Sequence, residues 1–214
     1  MRKLFFIILF SILTPYIASS QSTRIASCAN QQSARWYLMP YAGLGMAWYS
    51  YNLNGTVIDT NGYTHDLQES GTIPTYYAGF MFLHRFDAFN LGVGGEWQGF
   101  SGTSDNGFTQ MDIDLYYIKA YGRFELPIYT SSFNDFGFYG NIGAIFPYNA
   151  QGSNVRTGFF LDLGMYYNLI LTESSSLFFG LGYQQSNFET TIGSAVSKHK
   201  QNGFTMTAGY RIWF

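Results

Sequence analysis

Several groups of side chains in this sequence could do chemistry. His65 and the adjacent pair Ser104-Asp105 are the types that a nucleophile and its base require for attack on an ester. They fall in two separate hydrophilic stretches, where such residues are common, so no catalytic residue is assigned. His65, His84 and His199 belong to different segments and the single cysteine, Cys28, is isolated near the N-terminus; no metal-ligand spacing appears, and neither a metal nor a cofactor is expected. Asp112 and Asp114 could share a divalent cation, and Lys198-His199-Lys200 could meet phosphates or an acidic partner, but both read more simply as hydrated loop residues. A different group is more telling. Glu96, Lys119, Arg123, Glu125, Arg156, Asp162 and Arg211 each sit in an otherwise apolar segment, where the expected chemistry is ion pairing inside a folded interior.

The elements that carry these charges come from an unusual composition. Of 214 residues, 20% are aromatic (21 Phe, 18 Tyr, 4 Trp) and only 11% are charged, against roughly 25% charged in an ordinary soluble domain. Disorder is excluded by this balance. Past the N-terminus no apolar run reaches the roughly 20 residues of a membrane-crossing helix. No linker-like stretch interrupts the chain, so a single domain is expected. Arg2 and Lys3 precede the apolar run 4–13, and Ala18 and Ser20 provide small residues before Gln21: residues 1–20 read as a secretory signal peptide and 21–35 as a polar leader. Cleavage leaves nine basic against thirteen acidic residues, a formal charge of −4. No basic stripe invites nucleic acid, and one cysteine cannot make an internal disulfide. Ile25-Ala26-Ser27-Cys28 resembles a lipobox, yet it is separated from the apolar run it should adjoin, so acylation is not expected.

From residue 36 onward the apolar residues recur with period two, the signature of strands. Phe89, Leu91, Val93, Gly95 and Trp97 alternate with Asn90, Gly92, Gly94, Glu96 and Gln98, and the run 155–169 repeats the pattern. Eight such segments emerge: 36–51, 75–86, 89–100, 116–126, 135–146, 155–170, 175–187 and 203–214. Short turns are expected at one end of the meander. Long polar loops are expected at the other, over 52–74, 101–110, 148–154 and 188–202, with Asn61-Gly62 marking a hairpin beyond the rim or two additional strands. From Met111 to Leu115 the apolar residues stand at odd positions, whereas from Tyr116 onward they stand at even ones, which predicts a bulge near 115–117 or an extension above a membrane in which Asp112 and Asp114 face water.

An eight-strand meander closes either with its apolar face inward, as in a soluble barrel, or outward, as in a membrane barrel. The glycines (Gly43, Gly45, Gly92, Gly94, Gly164 and Gly182 among them) and all the charges of the strands fall opposite the large apolar residues. A narrow, crowded lumen suits glycine, and a charge-free outer band suits lipid, where a basic side chain near mid-bilayer costs about 2–4 kcal/mol. Trp36, Trp48, Tyr76, Phe86, Phe89, Trp97, Phe100, Tyr167, Tyr183 and Phe214 lie near segment ends, as interfacial rings should. The expected fold is an all-β, eight-stranded antiparallel up-and-down transmembrane β-barrel over residues 36–214.

The chain ends in Tyr210-Arg211-Ile212-Trp213-Phe214, with Tyr210, Ile212 and the terminal Phe214 on one face. This resembles the C-terminal assembly signal of Gram-negative outer-membrane barrels, and with the meander the chain resembles the small OmpA/OmpX-like outer-membrane β-barrel proteins. The resemblance implies a monomer in the bacterial outer membrane, assembled by the barrel assembly machinery and surrounded by outer-membrane lipid and lipopolysaccharide, with short turns in the periplasm and long loops outside. It implies a non-enzymatic role in envelope structure or surface interaction. Barrel enzymes that modify lipid A are the alternative: the order of His65 and Ser104-Asp105 loosely resembles the palmitoyltransferase, but no His-x-Ser element of the deacylase type is present. A small channel is the second alternative.

Overall fold

The computed structural model describes residues 35–58, 64–105, 110–148, 154–192 and 195–214. The expected signal peptide, the leader, Cys28 and the Asn61-Gly62 turn lie outside the described residues. Eight strands follow one another: β1 (Trp36–Ile58), β2 (Thr64–Arg85), β3 (Asn90–Asp105), β4 (Gln110–Thr130), β5 (Asn134–Pro147), β6 (Asn154–Thr172), β7 (Ser175–Ile192) and β8 (Ala195–Trp213). Each pairs antiparallel with its sequence neighbours, and β1 pairs with β8 to close the barrel. At the seam Trp36 N–H donates to Phe214 O and Phe214 N–H donates to Trp36 O, at 3.2 and 3.0 Å. Closure leaves no strand edge unpaired, which hydrocarbon surroundings require.

The apolar face is outside. Leu44, Phe80, Val93, Ile142, Leu163, Leu181, Phe204 and Met206 are all exposed, while Tyr37, Tyr117, Tyr166, Lys119, Glu125 and Arg211 are buried in the lumen. Such a continuous greasy exterior is far larger than a soluble monomer presents to water. Tyrosine and glycine face each other across the inward register: Tyr121 lies opposite Gly94 and Tyr139 opposite Gly164. A Cβ added at Gly94 would meet the Tyr121 ring at 2.4 Å, and one at Gly164 the Tyr139 ring at 2.6 Å. Glycine therefore makes room for rings to lie against the wall of a narrow barrel.

Between β2 and β3, β4 and β5, and β6 and β7 the connections are tight. Phe86 N–H donates to Phe89 O (2.8 Å), and the Ser131 hydroxyl accepts from the amides of Phe133 and Asn134 (3.2 and 3.1 Å), holding its turn closed. His84, the one outward histidine near this end, packs between Trp36 and Phe86.

At the other end the structure corrects several expectations. Most of 52–74, 101–110 and 188–202 is strand rather than loop, so the barrel rises well above its greasy band, and β1 and β2 extend as one hairpin from Asn52 to Gln68 without adding strands among the described residues. No bulge occurs near 115–117. The β3–β4 register runs unbroken from Asn90↔Glu125 to Asp105↔Gln110, so the parity change marks the extension, at whose base Leu115 is buried inside the barrel. Bulges fall elsewhere, at Asn52/Thr56, Pro127/Tyr129, Arg156/Phe159 and Ile170/Thr172. Phe100, expected at the outer interface, is inward and buried.

Candidate functional site

Among the described residues, ionisable side chains converge in the lumen, and they do so in tiers. Strand alternation drives each inward residue to the axis, and the antiparallel register sets which ones meet. In the lower tier, toward the turns, Glu125 accepts from Arg123 Nε at 2.7 Å and from Arg211 Nη2 at 2.8 Å through Oε1. Its Oε2 accepts from the Tyr37 hydroxyl (2.5 Å) and Asn90 Nδ2 (3.0 Å). Four donors from four strands thus hold one carboxylate. The Arg211 guanidinium is covered by the rings of Tyr37 and Phe178, 4.6 and 4.9 Å from their centroids.

The middle tier begins with Arg123, which donates to Asn141 Oδ1 (3.2 Å), and Asn141 Nδ2 donates in turn to Asp162 Oδ2 (2.9 Å). Glu96 and Lys119 are directly opposite across β3 and β4 and pair at 2.6 Å. The Tyr41 hydroxyl donates to Glu96 (2.9 Å), and Lys119 also donates to Gln184 (2.8 Å). Above them stands a neutral polar layer, in which Gln184 donates to Gln98 and Ser186, and Tyr117 donates to Gln201. Among the described residues the lumen holds a small cavity beside Tyr121, Tyr139 and Asp162 and another beside Gln98 and Gln201. Each holds about 10 Å³, one water at most.

The topmost tier is aromatic. Tyr49, Phe100, Leu115, Tyr117 and Phe188 are buried inside the extension. His199 stacks on Phe188, rings 4.5 Å apart and 4° from parallel, and its Nδ1 shares a hydrogen bond with the Tyr49 hydroxyl at 2.5 Å. Lys198-His199-Lys200 was expected in a loop; it lies on β8, with His199 inward. Because His199 pairs with Tyr51, beyond the interfacial Trp48, it is above the membrane-spanning part of the strand. Burial lowers its pKa to about 4.

Six of the seven charges expected inside converge in this way: Glu96, Lys119, Arg123, Glu125, Asp162 and Arg211. Arg156 does not. The bulge before Phe159 turns it out of the lumen, its side chain is 69% exposed, and it faces Glu189 at 3.5 Å on the surface. Sequence reasoning missed Tyr37, Tyr41, Asn90, Asn141, Gln98, Gln184 and Gln201 as members of the network. Their signal was parity, since all share the inward register with the charges. Tyr210, Ile212 and Phe214 share the outward face of β8, alternating with buried Arg211 and Trp213.

The β2–β3 pairing ends at Thr75↔Phe100, short of both His65 and Ser104-Asp105, whose side chains lie outside the described ones. Among the described residues no group of three His, Cys, Asp or Glu side chains could hold a metal ion.

No protein-family model matches the chain, and no curated protein matches it in sequence. Solved structures match in fold. The outer membrane protein OprG from Pseudomonas aeruginosa superposes with a TM-score of 0.54 at 13% identity, over 85% of this chain and 97% of that one. AlkL in lipid bilayers (TM-score 0.48, 11% identity, 85% and 90% covered) and Neisserial surface protein A (0.43, 15%, 84% and 97%) are more distant. The fold is that of small eight-stranded outer-membrane barrels.

Proposed function

We propose that this chain is a monomeric, non-enzymatic barrel of the bacterial outer membrane whose lumen is a structural plug, and that it serves envelope structure or surface interaction through the strands and loops rising above the membrane. One observation carries the reading: among the described residues a cross-barrel network from Arg211 to Gln201 occupies the interior, and the cavities beside Asp162 and beside Gln98 hold only about 10 Å³ each. An outer-membrane location fits both the barrel fold and the apolar exterior. The outward Tyr210, Ile212 and Phe214 are the surface that barrel assembly machinery would engage. Planar-bilayer recordings of the refolded protein test the plug: no conductance steps are expected, and steady unitary currents would replace this reading with that of a channel. Mass spectrometry of lipid A from cells with and without the protein tests the remaining alternative, and an acyl-chain difference abolished by His65→Ala would establish an enzyme.

A further inference from the structure

The outer surface of β7, β8 and β1 carries two features that the lumenal plug does not use. The first is at the loop end. Lys198 and Lys200 are both exposed on the outward register of β8. Lys200 lies opposite Ser50 and Asn187, and Asn202, the next outward residue below it, lies opposite Trp48. The ammonium groups therefore begin just above the interfacial ring formed by Trp48, Phe204 and Tyr183, at headgroup height and among hydrogen-bonding neighbours. Lys198 faces Glu189, which also holds Arg156, so this side stays net positive. At similar height β4 carries Asp112 and Asp114 instead.

The second feature is a recess of about 720 Å³ in the greasy wall, lined by Ala42, Leu44, Phe179, Leu181, Met206 and Ala208. Ala42 and Ala208 are cross-strand partners, so two methyl groups meet beside the longer side chains of Leu44, Phe179, Leu181 and Met206. Met206 and Ala208 lie six and eight residues below Lys200 on the same strand, roughly 20–26 Å at about 3.3 Å per residue. A strand tilt of about 35–45° sets the recess about 14–21 Å deeper than the lysines, within the outer leaflet, with a sideways offset of similar size along the wall.

We propose that this side of the barrel holds one phosphorylated outer-leaflet lipid, its phosphate on Lys200 and Lys198 and one acyl chain in the Ala42–Ala208 recess. The lysines select an anion and the recess a hydrocarbon; only an amphiphile with both, separated by this distance, satisfies the two together. A second barrel would bring no phosphate, and a soluble acidic partner could not reach the recess. The inference rests on the membrane-barrel reading above.

The test uses the mature protein refolded in phosphatidylcholine nanodiscs doped with bisphosphorylated lipid A, with native mass spectrometry counting lipid A retained after release. The unmodified protein is expected to retain one lipid A, and to retain its dephosphorylated form far less. Lys198→Gln with Lys200→Gln lowers occupancy about fivefold per lysine, and Ala208→Phe lowers it with the lysines intact. Equal retention of the phosphorylated and dephosphorylated forms overturns the proposal without relying on any variant, as does equal retention by the lysine variant. Displacement by millimolar inorganic phosphate would assign a free-anion site, and a dimer mass lost in Ala208→Phe would assign the recess to a second copy; either result also overturns it. Heat-modifiable gel migration of each variant reports barrel closure separately, and conductance separately tests the plug, so failure of the lipid site is distinguishable from failure of the barrel reading.

Discussion

Below the interfacial ring the barrel is greasy outside and charged inside; above it, Tyr49, Phe100, Leu115 and Phe188 fill the interior and Ser101, Lys198 and Lys200 are exposed. The same eight strands run through both regions without a change of partner. What inverts is the surroundings. In hydrocarbon the backbone is satisfied by closure and the outer side chains must be apolar, so polar groups pair around the axis. In water the apolar side chains take the axis themselves, as in a soluble barrel.

That contrast can be broken most severely in the lower tier. Glu125→Gln leaves Arg123 and Arg211 buried with a weakened partner, and a loss of about 3–5 kcal/mol is expected in urea unfolding from lipid vesicles. The exposed Arg156→Gln should fall within about 0.5 kcal/mol of the unmodified protein. A comparable cost for the two would erase the distinction between lumen and surface. Somewhat smaller is the penalty for a charge on the outer band: Leu181→Arg, outward and low on β7, should cost about 2–4 kcal/mol. Ser101→Arg, exposed above the ring, should cost next to nothing in the same measurement. Gly94→Ala pushes a methyl into the Tyr121 ring, and a destabilisation of about 1–3 kcal/mol is expected.

A further contrast separates the two regions by pH. Because burial lowers His199 to about 4 from an ordinary 6.5, the folded upper tier binds fewer protons than the unfolded chain between those values. Stability from this site is full above about pH 6.5 and declines as the pH falls toward 4. Hydrogen exchange of the upper β7 and β8 amides should quicken over that window, while the amides around Glu125 stay protected. His199→Gln should flatten the response, and an unchanged response in that variant would assign the acid sensitivity elsewhere.

How much was legible in the sequence follows the same division. Inside the membrane-spanning part each strand separates large apolar from small or charged residues with strict period two, so the eight segments, the sidedness and the Glu96–Lys119 neighbourhood could be read directly. Above the ring both faces admit polar residues, alternation fades, and strands such as 188–192 and 195–202 look like loops although their backbones pair throughout. Phe100 was misread for a related reason, since an inward aromatic in the extension has the same residue type as an outward one at the interface. Arg156 shows the limit of parity: one bulge before Phe159 reverses it, and nothing in Val155-Arg156-Thr157-Gly158 distinguishes a bulge from regular strand. Gln184 and Gln201 were invisible as partners because they bond to Lys119, Gln98 and Tyr117 on strands distant in sequence, whereas Asn90 and Asn141 bond to neighbouring strands and carried no signal beyond parity.

On the outward face of β8 hydrocarbon begins at one point along a single strand. With Cys28→Ser as background, spin labels placed singly at Lys200, Asn202, Phe204, Met206, Ala208 and Tyr210 on the outward face of β8 can be probed in bilayers with oxygen and with a water-soluble paramagnetic reagent. The expected result is a crossover between Asn202 and Phe204, with oxygen dominating at Phe204, Met206 and Ala208. A label at Met206 reached as readily by the aqueous reagent as one at Lys200 would contradict the membrane barrel itself.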